Sequence, residues 1–261
     1  MKHILFLLLF FKTFFTFSND TLELKKSIPI QAYNFTTDPL GNIYIVKSNN
    51  AVLKFSNTGD SLTQFNEIKK GKITQIDATN PLRILVYYGD YSQIILLDNL
   101  MSLKSQIRLN TPSLINAPCV SNSADGGIWI YDQAATIQKI NEQLEAKFSL
   151  SLINVFDKIL SPNSITEQDR NLFIVDSLNG IYRFDQLGLF KLNYPFQTKE
   201  IQYFSPYLVY YQKPYLISYN TESFIEKKII LPHPEDIFKV RMEKNSIYIL
   251  RSDRLDIYNL D

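Results

Sequence analysis

Histidine and cysteine, the side chains that most often ligate metals or act in catalysis, are nearly absent from this sequence. The 261 residues contain two histidines and one cysteine. His233 lies between two prolines and Cys119 stands alone, so neither has a partner at the spacing of a zinc site or a catalytic pair. The Gly-x-Ser-x-Gly motif of serine hydrolases is also missing. The sequence therefore predicts no catalytic residues, no metal and no cofactor.

Aspartates that end apolar strands are the remaining candidates for chemistry. Asp90, Asp132 and Asp176 could supply oxygen ligands to a calcium ion. The alternative is that each carboxylate accepts hydrogen bonds from the backbone of the turn that follows it. We favour the alternative, because an aspartate after a strand is ordinarily a turn residue.

These aspartates belong to a pattern of apolar strands and polar turns that occurs six times. The first apolar residues of the six copies are Ile43, Ile84, Ile128, Leu172, Leu208 and Ile247. Successive copies lie 41, 44, 44, 36 and 39 residues apart. A four-stranded propeller blade repeats at about 40–50 residues, and propellers have about four to eight blades. The sequence thus predicts an all-β, six-bladed β-propeller.

The strands that begin at these residues are apolar on both faces, as in Ile43–Val46 and Leu172–Val175. Both faces of such a strand must be covered, here by neighbouring blades. A candidate inner strand precedes each copy: Ala32–Thr37, Ile73–Ala78, Ala117–Asn122, Asn163–Glu167, Lys199–Phe204 and Ile237–Met242. These inner strands offer few carboxylates to the channel of a propeller.

The residue four positions after each first apolar residue ends its strand, so six side chains are expected on the rim of one face. They are Lys47, Tyr88, Asp132, Asp176, Gln212 and Arg251. Lys47 and Arg251 would be neighbours in a closed ring, with the two aspartates across the axis. Such a rim would orient a dipolar peptide, and we predict these residues as the partner-binding set. The alternative is that they are solvated turn residues.

The first 18 residues differ from the repeats. Lys2 and His3 precede an apolar stretch, Ile4–Phe17, which is interrupted by Lys12 and two threonines. This pattern is typical of a secretory signal peptide and is too short for a transmembrane span. The alternative is an uncleaved N-terminal anchor. We predict a signal peptide over residues 1–18, a propeller over residues 19–261, and export to the periplasm, the cell surface or the medium.

The charge of the mature chain argues against nucleic acid as a partner. Loss of Lys2 and Lys12 with the signal peptide leaves 25 basic and 26 acidic residues. This balance gives no attraction for phosphate groups. We expect a protein or peptide partner and a monomeric propeller with no transmembrane segment.

The N-terminal strand is expected to close the ring. Thr21–Pro29 resembles Phe224–Pro232, the outer strand of the fifth copy, while the sixth copy ends after its third strand. The N-terminal strand would complete blade six and leave no open sheet edge. The alternative is a loose N-terminal tail.

One connection, Leu152–Pro162, is unusually apolar. Its side chains would either pack down as a lid on the channel or form a docking patch. Packing down is the favoured interpretation.

The stretch Asp38–Gly59 carries the pattern Asp-x-x-Gly-Asn-Ile-Tyr-Ile-Val followed by Val-Leu-Lys-Phe and a glycine. This resembles the blades of six-bladed propellers of the NHL-repeat and TolB-like type. The fifth copy departs from the pattern at Tyr211–Pro214. The resemblance implies a propeller whose commonest role is binding or scaffolding, although such families include enzymes and the fold alone does not decide.

Together these features predict an exported, non-catalytic propeller that binds a protein or ligand, or acts as a scaffold, in the cell envelope. The alternative is a propeller hydrolase or lactonase that uses channel carboxylates and a divalent metal. That enzyme would need three or four oxygen side chains pointing at the axis.

Overall fold

The computed structural model describes residues 22–67 and 71–260, and it confirms the predicted all-β, six-bladed propeller. Each blade is a four-stranded antiparallel sheet. The predicted signal peptide, Met1–Ser18, lies outside the described residues and stays a prediction. Within the described ranges, no helix is long and apolar enough to cross a membrane.

The strands follow one another from the channel outward in each blade, except that β1 (Leu22–Pro29) belongs to the last blade. Blade one contains β2 (Ala32–Thr37), β3 (Ile43–Lys47), β4 (Val52–Phe55) and β5 (Ser61–Phe65). Blade two contains β6 (Ile73–Asp77), β7 (Ile84–Tyr88), β8 (Gln93–Leu97) and β9 (Leu103–Arg108). Blade three contains β10 (Cys119–Asn122), β11 (Ile128–Tyr131), β12 (Thr136–Ile140) and β13 (Ala146–Ser151).

The second half of the ring repeats this order. Blade four contains β14 (Ser164–Gln168), β15 (Asn171–Asp176), β16 (Gly180–Asp185) and β17 (Phe190–Tyr194). Blade five contains β18 (Gln202–Phe204), β19 (Tyr207–Gln212), β20 (Tyr215–Asn220) and β21 (Glu226–Ile230). Blade six contains β22 (Lys239–Glu243), β23 (Ser246–Leu250) and β24 (Arg254–Leu260), with β1 outside them.

The N-terminal strand closes the ring as the sequence predicts. β1 pairs antiparallel with β24, from Leu22 opposite Leu260 to Pro29 opposite Arg254. The Ser27 hydroxyl also donates a hydrogen bond to the Asp256 carboxylate. Hydrogen bonds between the two ends of the domain therefore complete blade six.

The core consists of six apolar clusters, one between each pair of adjacent blades. All five residues of β7 are buried, because both of its faces meet a neighbouring blade. Outer strands such as β21 are mostly exposed. The cluster between blades five and six has seven buried residues, against nine to twelve in the other five. Within the described residues, this interface thus has the fewest fully buried side chains.

The apolar connection after β13 forms a short helix, α1 (Leu152–Phe156). Leu152 and Leu160 are buried, and the Phe156 ring lies 4.8 Å from the Tyr182 ring of blade four. Packing down is thus confirmed for these three side chains. The connection covers blade four rather than the channel, so the prediction of a channel lid is wrong. Leu152, Phe156 and Leu160 pack into the cluster between blades three and four, whereas Ile153, Val155 and Ile159 are exposed.

Candidate functional site

A central channel contains a cavity of about 350 Å³, which is lined by the inner strands of five blades and, in blade five, by the residues just before β18. Hydroxyl, amide and charged side chains face this cavity, among them Asn34, Thr36, Asp77, Thr166, Lys239 and Arg241. The lining is polar because alternate residues of each inner strand point away from the apolar interfaces. The channel is therefore open to polar ligands.

Charge is concentrated where blade six faces blades five and one. Lys239, Arg241 and Glu243 alternate along β22, so the period of two places them on one face of the strand. Lys239 Nζ lies 2.7 Å from Glu200 Oε2 and donates a hydrogen bond to Asn34 Oδ1 at 3.0 Å. This lysine thus joins three blades.

Arg241 is held by a network on the channel wall. Its Nε donates to Thr37 Oγ1 at 2.9 Å. Thr37 Oγ1 donates to Glu243 Oε1 at 2.6 Å, and Gln202 Nε2 donates to the same oxygen at 2.9 Å. The guanidinium is almost fully buried, with 8% of the residue exposed. Its orientation is therefore fixed by the fold.

Burial shifts the pKa values in this network. Burial lowers the pKa of the Lys239 ammonium, and Arg241 acts in the same direction against the opposing charge of Glu200. Burial also raises the pKa of the Glu243 carboxyl, with Arg241 opposing the shift.

We call the face that carries the connections from one blade to the next the upper face. A depression of about 350 Å³ opens from the channel on this face, between blades five and six, and we call it the cleft. Its walls include Tyr210, Tyr211, Gln212 and Lys213 of blade five, facing Phe238, Lys239 and Arg241. The cleft lies beside β18, which has only three residues, at the interface with the fewest fully buried side chains.

A second depression opens from the same interface on the opposite, lower face. We call it the lower groove; it has a volume of about 540 Å³ and mostly apolar walls. Val209 and Leu216 line both it and the cleft. Phe204 and Tyr207 stand at its opening, where each is partly exposed. The interface between blades five and six is thus accessible from both faces.

Four of the six predicted rim residues are buried. Tyr88, Asp132, Asp176 and Arg251 are each at most 1% exposed. Lys47 is half-buried and Gln212 is exposed, and Gln212 lies on the wall of the cleft. The structure therefore does not gather the six side chains into one exposed rim, because a strand end can turn its side chain back under the following turn. Their role in binding a partner stays a prediction.

The buried aspartates have structural partners. Asp132 Oδ1 accepts hydrogen bonds from the backbone amides of Ala134 and Thr136 at 2.8 and 2.9 Å. Asp176 accepts from the amides of Leu178 and Ser161, both at 2.9 Å. These are the turn contacts expected in the alternative to calcium binding.

Arg251 is used inside blade six. Its Nε donates to Asp256 Oδ2 at 2.6 Å, and its two terminal nitrogens donate to the carbonyls of His233 and Pro232, both at 2.8 Å. These bonds tie the connection before β22 to the end of β23. The residue holds a loop, and its side chain has no free surface to offer a partner.

The other residues considered for chemistry lie apart. Asp90 and His233 are exposed in separate blades, and Cys119 is buried with Sγ 3.2 Å from the carbonyl of Pro162. Burial raises the pKa of the Cys119 thiol to about 12. In residues 22–67 and 71–260, no three His, Cys, Asp or Glu side chains are placed to hold a metal ion. This geometry gives no observation that favours the metal-dependent hydrolase or lactonase.

The residues that carry the site were not selected from the sequence. The sequence places Lys239, Arg241 and Glu243 in or beside a candidate inner strand but does not distinguish them as a site. Their spacing of two within that strand was the available signal, because it puts three charges on the channel side of an otherwise apolar interface. Glu200, 39 residues earlier, could not have been linked to them without coordinates.

No protein-family model and no curated protein sequence matches this chain. Solved structures with the same architecture are found. A streptogramin B lyase is 14% identical, with a TM-score of 0.66 over 93% of this chain and 98% of that one. The propeller domain of Cps50 (Swd1) from Myceliophteria thermophila is 9% identical, with a TM-score of 0.63 over 92% of this chain and 100% of that one.

BBS1N, solved in complex with ARL6DN, is 12% identical, with a TM-score of 0.61 over 93% of this chain and 98% of that one. Propellers of different kinds are thus about equally similar to this chain, and the NHL-repeat or TolB-like type stays a prediction. At such identities the likeness shows the fold, which is that of a six-bladed β-propeller.

Proposed function

We propose that this chain is an exported binding module without catalytic apparatus, which receives a segment of a protein or peptide partner in the cleft. The observation that carries the proposal is the cleft itself, which joins the channel and is flanked by an exposed aromatic ring. Phe238 is 62% exposed on its wall, and aromatic side chains beside polar groups are typical of binding surfaces.

The walls of the cleft are formed by elements of the fold itself. Its walls come from strands that are fixed in two packed blades, so the site is formed before a partner arrives. Of the six predicted rim residues, Gln212 on the cleft wall and Lys47 on the same face are the two that a partner would contact. BBS1N, a propeller of similar fold that was solved with another protein, gives a precedent for such a role.

Export rests on the sequence. The apolar stretch Ile4–Phe17 follows Lys2 as in secretory signals. A lone buried cysteine is compatible with an oxidising compartment, because a thiol of raised pKa and no exposure does not form mixed disulfides readily. We place the mature protein in the cell envelope or outside the cell.

The proposal is tested by site-specific crosslinking in intact cells. Phe238 is replaced by the photoreactive analogue p-benzoylphenylalanine, which preserves an aromatic ring at the cleft. The matched control is Phe224, which is 71% exposed on the lower face of blade five. We expect a discrete crosslinked partner from position 238 after irradiation and none from position 224.

Two results would contradict the proposal. One is the absence of any crosslink from position 238, and the other is the same set of crosslinked proteins from both positions. A partner captured only from position 224 would move the binding surface to the lower face.

A further inference from the structure

The guanidinium of Arg241 has hydrogen-bond donors that the fold does not use. Its Nε donates to Thr37, but the oxygens of Glu200 and Glu243 stand 4.0 Å from Nη1 and 3.9 Å from Nη2. Both distances are too long for hydrogen bonds. In the part of the chain that the structure describes, the two terminal nitrogens therefore make ion pairs without hydrogen bonds.

Although the side chain is more than nine-tenths buried, neither terminal nitrogen is among the fully buried unpartnered polar atoms of the described residues, so both reach solvent in the cavities that Arg241 lines. A guanidinium carries five N–H donors, and a buried charge is costly unless it is hydrogen-bonded as well as paired. Thr37 accepts the hydrogen bond from Nε, which leaves the two terminal nitrogens, the fork of the guanidinium, without an acceptor. Arg241 lines both the channel cavity and the cleft, so the fork faces the space that they share. The fork is oriented before any ligand binds.

The charges around the cleft favour an anion over a cation. Glu243 Oε1 lies 3.9 Å from Arg241 Nη2 but does not line the cleft. Four cationic side chains line the cleft, namely Lys199, Lys213, Lys239 and Arg241, against the single carboxylate of Glu200. That carboxylate is already 2.7 Å from Lys239 Nζ. A planar carboxylate matches the two parallel donors of a guanidinium, whereas an ammonium ligand would meet this cationic wall.

We infer that Arg241, with Lys239 beside it, anchors a carboxylate group of the ligand that enters the cleft. The inference rests on the proposed function and names the chemistry that the cleft recognises. The carboxylate would form two parallel hydrogen bonds with the terminal nitrogens of Arg241. It could belong to a peptide, as a C-terminus or an acidic side chain, or to a small organic acid.

The first test uses benzoate and its uncharged isostere benzamide in calorimetric titrations of the mature protein. We expect benzoate to bind at least about tenfold more tightly than benzamide, because hydrogen bonds to charged groups are stronger than neutral ones. This comparison needs no mutation. Equal affinity for the two compounds, or no binding of benzoate, would overturn the inference.

The second test replaces Arg241 by lysine, which keeps the charge and removes the fork. We expect Arg241→Lys to lower benzoate affinity about tenfold or more, while the control Lys213→Gln at the exposed edge of the cleft has a smaller effect. Thermal unfolding of each variant verifies folding. If Arg241→Lys does not fold, the comparison of benzoate with benzamide on the unmutated protein decides. Unchanged benzoate affinity in a folded Arg241→Lys protein would overturn the inference.

A third comparison separates the sources of the carboxylate. One short peptide is tested with a free C-terminus, with an amidated C-terminus, and with an amidated C-terminus plus an internal glutamate. Preference for the first or the third form assigns the carboxylate to a chain end or a side chain. Binding of benzoate with no difference among the peptides assigns it to a small acid.

Failure of this inference and failure of the proposed function give different results. A partner crosslinked from position 238 together with equal binding of benzoate and benzamide would leave the binding module standing and remove the carboxylate anchor. Selective benzoate binding without a crosslinked partner would support the anchor and remove the protein partner.

Discussion

Side-chain amides on the inner strands take the place of backbone pairing between blades. Gln75 Nε2 donates to the carbonyl of Pro118 at 2.7 Å, and its Oε1 accepts from the amide of Val120 at 2.6 Å. Gln202 makes the same two contacts with the carbonyl and amide of Met242, both at 2.8 Å. Each glutamine thus satisfies two polar backbone groups at an otherwise unpaired sheet edge.

A carboxylate links blades three and four through side-chain hydrogen bonds. Glu167 Oε2 accepts hydrogen bonds from Ser123 Oγ at 2.6 Å and from Trp129 Nε1 at 2.5 Å. Trp129 is fully buried, so its N–H has no access to water. The contact therefore satisfies a buried donor in the core of the ring.

We predict that Glu167→Ala lowers the free energy of unfolding by about 1–3 kcal/mol, since it leaves the indole N–H buried without an acceptor. Urea unfolding followed by the fluorescence of Trp129, the only tryptophan, measures the change. Glu222→Ala, in an exposed turn of blade five, is the control and should change stability little. Equal stability of the two variants would contradict this role for Glu167.

For single residues, the sequence predicted local turn contacts better than burial. Asp132 and Asp176 were correctly given a turn-forming alternative, because aspartate after a strand caps backbone amides in many turns. Tyr88 and Arg251 were expected on a rim, yet both are buried. The sequence shows where a strand ends but not what the next connection lays over that end.

The pairing of β1 with β24 is the element on which closure of the ring depends. Asp256 of β24 accepts hydrogen bonds from Ser27 of β1 and from Arg251. Burial alone would raise the pKa of Asp256, but the hydrogen bonds from Ser27 and Arg251 and the charge of Arg254 outweigh burial and hold this pKa below its ordinary value. The carboxylate thus links strand pairing to protonation.

We call the pairing of β1 with β24 the seam, and we predict that acid lowers the stability that Asp256 gives to it. A carboxyl whose pKa is lower in the folded state stabilises the fold above its unfolded pKa of about 4, and the contribution is lost as the pH falls through the folded value. Asp256→Asn should therefore lose about 3–5 kcal/mol at neutral pH, because Arg251 stays buried without its ion pair. It should also lose less further stability on acidification than wild type.

Urea unfolding at a series of pH values measures both effects. Asp253→Asn, in the exposed turn beside Arg254, is the matched control. A stability curve of Asp256→Asn that runs parallel to that of wild type from neutral to acid pH would show that another group governs the seam.

The lengths of the strands explain why the cleft could not be predicted from the sequence. The 36-residue step between the fourth and fifth copies indicates a compressed repeat. It does not show which strand is shortened, and only the three-residue length of β18 places the gap beside β22. Repeat spacing predicts the number of blades because every blade needs four strands, whereas filling of an interface depends on side chains about 40 residues apart.

For the whole molecule, the repeat predicted both architecture and closure, because apolar strands at this period can bury both faces only in a ring of blades. Export and partner are not encoded in this geometry. The predicted export depends on residues 1–18 and the proposed partner on the cleft, and neither follows from the period of the repeat.

We predict that the mature protein begins at or within a few residues of Asn19, since the apolar stretch before it is typical of a cleaved signal. N-terminal sequencing of protein from culture medium and envelope fractions measures this. A cytosolic protein that keeps Met1 would contradict export. An envelope protein that keeps Met1 would support the alternative of an uncleaved anchor.

The register of the closing strand pair also determines how the ring responds to tension. Leu22 lies opposite Leu260, so a pull that separates these two residues loads the pair at one end. Its hydrogen bonds then break one after another, as in opening a zipper, and never share the load as they would if the strands were sheared along their length. A pull of this kind therefore opens the propeller first between β1 and β24, even though each blade contains four strands.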